Sequence, residues 1–257
     1  MAAIAVPIRR GPGHWAATYA AMLRFDLAAQ RNLLPMFLLM QVMFGAGMAI
    51  IYGFYIGHLP RGAALFIVSG SPALAVMTAG IIGVTMMVTE RQLAGTWDFI
   101  WSLPAPRSAA VASTVTVFTL LALPGIVVTL ALADWRYGIT LTVSPMAVPA
   151  LLLSSLMATS VGFGLALLIA RPVLTNALVN ALIFIVLIFS PVQFPISRLP
   201  LWLADVHRVL PVYYLGEVMR ASVTRGLVHD TALAYGVLAA WTLASWAATA
   251  WVVGRRR

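Results

Sequence analysis

Six long apolar runs alternate with polar intervals along this chain, at roughly residues 35–56, 63–88, 109–133, 145–170, 173–194 and 231–253, and none of them contains a charged residue. Each holds about 20 residues or more. At about 1.5 Å of rise per residue, a helix of that length crosses a hydrocarbon core of roughly 30 Å. With no water at that depth to satisfy backbone N–H and C=O groups, a helix is the form such a segment takes. The pattern predicts an all-α integral membrane protein with six transmembrane helices. Residues 35–257 form the transmembrane domain, and residues 1–34 form a cytoplasmic N-terminus. An even number of crossings puts both ends on one side.

The polar intervals carry patterns of their own. Residues 14–34 contain neither proline nor glycine and read as a helix. Its polar positions (Thr18, Arg24, Asp26, Gln30 and Arg31) do not gather on one face. The reading is a helix lying in the membrane interface, with Trp15 and Tyr19 as anchors. The alternative is a cytoplasmic extension of the first span, which Pro35 disfavours because the residue before a proline resists helical geometry.

The interval Thr89 to Ser108, TERQLAGTWDFIWSLPAPRS, is the longest charged island in the first two thirds of the chain. It holds Glu90, Arg91, Asp98 and Arg107 and a Pro104-Ala105-Pro106 breaker. Leu93, Trp97, Ile100 and Trp101 recur at helical spacing, so a short amphipathic helix is expected. On a cytoplasmic face it is suited to receive a push from a soluble partner. The other long polar region, residues 195–230, contains two helical patterns. Leu199, Leu203, Val206 and Leu210 carry the first, which Pro211 ends; Tyr214, Val218 and Ala221 carry the second. Too apolar for a solvated loop and too broken to span, it reads as an outer re-entrant helical hairpin, covered by protein at membrane depth. Glu217 and Arg220, three apart, can pair there. They either shape an outer gate or form a solvated pair at the headgroup level.

Composition narrows the class. A chain that is 62% hydrophobic and 9% charged, with a mean hydropathy of +0.97, has more apolar surface than water can solvate. The absence of cysteine excludes disulfides and thiol chemistry. The net charge of +9 comes from 16 arginines and no lysine against 7 acids. Without lysine the phosphate-binding pattern GxxxxGK[ST] cannot occur, so any ATP that drives this protein is bound by another chain. The arginines are dispersed between spans rather than clustered on one face, which argues against a nucleic-acid partner. With the ends inside, ten arginines fall on the cytoplasmic side and six outside, the expected bias. Arg9 and Arg10 precede a mixed stretch that lacks the form of a cleaved signal peptide.

Candidate chemistry is sparse. All four histidines (His14, His58, His207 and His229) lie outside the runs. No HExxH occurs, and no two carboxylates lie within a helical turn. Ser69, Ser71, Ser154 and Ser155 have no histidine or lysine at matching depth to activate them, and hydroxyls in spans usually serve packing. A catalytic centre and a metal site are therefore not expected. Ion-coupled carriers need ionisable groups within the membrane, and this chain offers only Asn176, Asn180, Gln193 and hydroxyls. The Asn176/Asn180 pair and the GxxxG of Gly53 and Gly57 read as helix-packing features.

Three local patterns, in this order, resemble the ABC-2 type permease family over nearly the full length. They are Glu90-Arg91 with Gly95-Thr96-Trp97, Leu103-Pro104 and Arg107; Ser190-Pro191-Val192-Gln193-Phe194-Pro195 with Leu199-Pro200-Leu201-Trp202; and Leu210-Pro211-Val212-Tyr213-Tyr214 with Arg220. The resemblance implies the membrane subunit of a bacterial ABC exporter, multi-pass in the cytoplasmic membrane with both termini cytoplasmic. It implies a lipophilic or amphipathic cargo (drug, natural product or lipid) moved by alternating access. The partners would be two copies of an ABC ATPase subunit, which bind ATP and Mg, and a second permease in a homodimer or heterodimer; this chain itself would hold no cofactor. Thr89 to Ser108 would include the coupling helix. Glu90 and Arg91 would hold its end by salt bridges, Gly95 would permit close approach, and Thr96, Trp97 and Trp101 would sit at the ATPase junction. Pro195, Pro200, Pro211, Tyr213, Tyr214, Glu217 and Arg220 would belong to the outer gate or re-entrant hairpin. The competing readings are a non-transporting scaffold or sensor that borrows an ATPase, and an ion-coupled secondary transporter.

Overall fold

The computed structural model describes residues 11–32, 34–56, 60–103, 105–139, 141–169 and 172–255, and among these every regular element is helical. Pro104, His58, Gly57, Arg9, Arg10, Arg256 and Arg257 lie outside the described residues. Helix α1 (Pro12–Gln30) opens on a proline, whose missing N–H costs nothing in a first turn. A turn at Arg31 and Asn32 separates it from α2 (Leu34–Ile56), so α1 is a helix of its own rather than an unbroken extension of the first span.

Next comes a single rod of 33 residues, Arg61–Leu93, made of α3 (Arg61–Met77), a π-helical turn (Thr78–Gly83) and α4 (Val84–Leu93). It is followed by the short α5 (Thr96–Ser102) and by α6 (Arg107–Tyr137), α7 (Ala147–Leu168) and α8 (Pro172–Phe189). A 3₁₀ turn (Ile196–Arg198), α9 (Leu201–Val209) and α10 (Pro211–Val223) precede the last helix, α11 (Thr231–Arg255).

Among the described residues, four helices are long and apolar enough to cross a membrane: Arg61–Leu93, Arg107–Trp135, Ala147–Leu168 and Thr231–Trp251. The protein is thus a multi-pass membrane protein. Of the six expected spans, the other two coincide with α2, of 23 residues, and α8, of 18 residues. The rod's 33 residues amount to about 50 Å at 1.5 Å per residue, well beyond a hydrocarbon core of roughly 30 Å. The rod is therefore long enough to cross the core with turns to spare, and Glu90 and Arg91 lie in its last turn.

Small residues let the rod and α7 meet backbone to backbone. A Cβ on Gly80 would lie 2.5 Å from that of Ala158, and a Cβ on Gly162 would lie 2.5 Å from the Gly80 carbonyl oxygen. The Thr85 hydroxyl donates across the same contact to the Gly162 carbonyl at 3.0 Å. At the entry to the π turn, Gln41 of α2 donates to the Ala75 carbonyl at 3.1 Å and accepts from Thr78 at 3.2 Å. Gln41 is buried, and in an apolar medium a side-chain amide stays only where its polar atoms are bonded. It fastens the first long helix to the middle of the rod.

Candidate functional site

The polar and aromatic contacts gather at two opposite ends of the bundle. At one end stand α5, the last turns of α4, the first turns of α6 and the C-terminal halves of α7 and α11. The central residue there is Asp26 of α1. One of its oxygens accepts from Arg91 Nη2 at 2.6 Å and the other from Ser113 Oγ of α6 at 2.5 Å. Asp26 is only 3% exposed, and a carboxylate this buried is tolerated because both of its oxygens are taken. The Arg91 guanidinium also lies 5.6 Å from the Phe25 ring centroid. Trp15 and Tyr19, stacked on each other at 5.5 Å, add hydrogen bonds to Ser108 (3.0 Å) and Thr116 (2.9 Å). Those two residues, read as interface anchors, therefore dock α1 onto α6.

Gly95 separates α4 from α5 with a φ of 69°, the left-handed region that glycine enters without steric cost. Nothing in this chain lies within 4 Å of a Cβ placed there, so inside the protein the glycine serves the turn. Thr96 is the first residue of α5. Trp97 and Trp101 sit one turn apart with ring centroids 5.2 Å apart, and Arg107 covers Trp101 at 4.8 Å. From Trp97 the aromatic contacts continue into the bundle, to Phe163 of α7 at 6.3 Å and from there to Trp246 of α11 at 5.8 Å. These spacings suit edge-to-face attraction. Glu90 is exposed and makes no ion pair among the described residues, unlike Arg91 beside it.

The opposite end is built on α9, α10 and the Ser190–Pro195 turn. Leu210 is extended and Pro211 opens α10, so the hairpin breaks where the proline pattern places the break. Pro200 plays the same part ahead of α9, and Pro195 precedes the 3₁₀ turn. Tyr213 and Tyr214 pack edge to face at 5.1 Å, and the Tyr214 hydroxyl donates back to the Arg208 carbonyl at 2.7 Å. Asp205 and Arg208 form an exposed pair, whereas His207 on the other side of α9 is buried. That burial pushes the imidazole below its ordinary value, against a backbone bond at Phe189.

Arg220 is 0% exposed. It pairs with Glu217, donates to the Val192 carbonyl at 2.6 Å and lies 3.5 Å from the Phe66 ring centroid. A Cβ at Gly70 would fall 2.0 Å from the Val192 carbonyl oxygen, so only glycine lets the turn approach α3. Burial raises the Glu217 carboxyl, and the Arg220 guanidinium opposes it. The headgroup-level alternative for this pair does not hold: the guanidinium is internal and joins α3, the Ser190–Pro195 turn and α10. The α6–α7 connection closes over the same end through Thr142 and Ser144, whose N–H groups donate to the carbonyls of Val223 and Ser222 at 3.0 and 2.8 Å.

Sequence reasoning did not single out Asp26, Gln41, Phe163 or Trp246 as functional. A carboxylate and an amide set among apolar residues are a general signal of a buried partner, but the partner's identity is a tertiary fact. The family described as ABC-2 family transporter protein matches residues 58–251 of the chain, which takes in both ends of the bundle. Comparison with curated proteins gives no match.

Proposed function

Since the chain belongs to the ABC-2 transporter family, we propose that it is the permease subunit of an ATP-driven exporter, with six transmembrane helices and both termini cytoplasmic. Two copies of a separate ATPase chain, which bind ATP and Mg, dock on the end built from α4, α5 and α1. A second permease completes the path. Glu90, Thr96 and the outer face of α5 meet the ATPase, and Arg91 ties that contact to α1.

The observation that carries this reading is the run of aromatic rings from Trp101 through Trp97 and Phe163 to Trp246. It gives a push on α5 a packed route into α7 and α11. Close-packed side chains transmit displacement because their interiors compress little. The long rod helps, since one helical element runs from that end through the middle of the bundle. At the outer end the Arg220 knot holds the hairpin closed over the bundle, and alternating access requires that closure to yield.

The cargo is lipophilic or amphipathic. Support comes from the charge-free runs and from a groove of about 230 Å³ between α7 and α11, lined among others by Ser160, Gly164, Leu168, Ser245 and Thr249. It lies in the halves of those helices nearest α5, at the depth of the inner leaflet, and suits lateral entry. Purification of the tagged chain from native membranes in mild detergent tests the proposal. A cassette ATPase should co-purify in stoichiometric amount with vanadate-sensitive hydrolysis, and Trp97→Ala should retain the ATPase while abolishing cargo-stimulated turnover. A chain that comes out alone, and binds no ATPase on reconstitution, would overturn the reading. ATPase binding with no cargo movement would favour a sensor or scaffold.

A further inference from the structure

Helix α1 has two faces of different chemistry. The inner face carries Asp26, Trp15 and Tyr19 and is docked on α6 and α4. On the opposite side lie Arg24 and, seven residues on, Arg31, the capping residue that keeps helical backbone angles just past the last turn, and both are exposed. Around them the surface is Ala17, Ala20, Leu27 and Ala28, also exposed, with no acid. The one acid of the helix is Asp26, turned the other way and neutralised. No ion pair to Arg24 or Arg31 occurs among the described residues.

Such a face does not suit water, because apart from its two arginines it is apolar. It does not suit the hydrocarbon core either, because of those arginines. It fits the boundary between the two, where small apolar residues sink beneath the headgroups and arginine stems reach outward to phosphate. The position agrees, since α1 ends at Gln30 and the membrane-entering α2 begins at Leu34.

We infer that the Arg24–Arg31 face of α1 is a binding surface for anionic phospholipid headgroups of the inner leaflet. The guanidinium is suited to phosphate by its planar array of donors, and a second arginine two turns away favours lipids with net negative charge over zwitterionic ones. Because the same helix grips Arg91 from its other face, occupancy of this surface bears directly on the end of α4. The inference rests on the membrane placement of α1 and not on the identity of the cargo or the presence of an ATPase.

The test uses the full-length chain alone, released from detergent and examined by native mass spectrometry after equilibration with phosphatidylglycerol or phosphatidylcholine. The native chain should retain phosphatidylglycerol preferentially, and each of Arg24→Gln and Arg31→Gln should cut that preference about fivefold. Arg225→Gln, an exposed arginine near the opposite end, should leave it unchanged. Thermal unfolding in detergent should be the same for all variants, since both helix positions are exposed. Equal retention of the two lipids by the native chain, or an undiminished preference in the double variant, would overturn the inference. None of these outcomes touches the exporter reading, which is decided by ATPase capture.

Discussion

Asp26 and Gly70 each fix how distant segments of the chain meet. Removing the charge of Asp26 leaves the Arg91 guanidinium, with 13% of its side chain exposed, facing a neutral amide. Breaking a buried pair from one side costs about 3 kcal/mol or more. Asp26→Asn should therefore lower the unfolding temperature of the purified chain and loosen α1 from α6, read as new protease sensitivity between α1 and α2. An unchanged melting profile would mean the pair does not hold α1. At Gly70 the constraint is steric: the Val192 carbonyl oxygen is 2.0 Å from the place a Cβ would occupy, and backbone cannot swing aside as a side chain can. Gly70→Ala should displace the Ser190–Pro195 turn from α3 and break the Val192–Arg220 bond. The expected outcome is little folded protein on size-exclusion chromatography, whereas Gly236→Ala, with open space around it, should behave as the native chain.

At the scale of elements, punctuation was the most legible feature. Pro211 marks the junction of α9 and α10, and charge-free runs mark the long helices, because each of these acts through local backbone chemistry. Gly95 is expected to permit close approach, and its turn between α4 and α5 emerges only from the structure. Two other things were not readable from local pattern. The first is the π-helical turn, Thr78–Gly83, whose glycines look like ordinary packing residues until α7 lies against them. The second is where charged residues point. Glu217 and Arg220 at a spacing of three predict a pair in either water or protein; the ring of Phe66 and the carbonyl of Val192, supplied by segments far away in the chain, decide the matter. Within the island Thr89 to Ser108 a short amphipathic helix is expected, with Leu93, Trp97, Ile100 and Trp101 at helical spacing. In the structure the island's first residues, through Leu93, complete the long rod, and only Thr96–Ser102 form the short helix. The reason is that the helical period runs through the end of a span without a break until a glycine interrupts it.

For the molecule as a whole, the two ends differ in construction in a way that fits one-directional mechanical work. The α5 end is rich in aromatic contacts, while the hairpin end is held by a buried charge and backbone hydrogen bonds. Helix α1 and the C-terminal half of α11 lie at the same end of the bundle. The central claim is that the α4–α5 end receives a cytoplasmic ATPase. The most direct measurement is site-specific photocrosslinking in native membranes from exposed positions at each end. Glu90 and Phe99 represent the α5 end, and Leu201 and Trp202 the hairpin. The account predicts that Glu90 and Phe99 each capture a cassette ATPase and that Leu201 and Trp202 capture none. Capture from the hairpin positions, or from neither end, would contradict it.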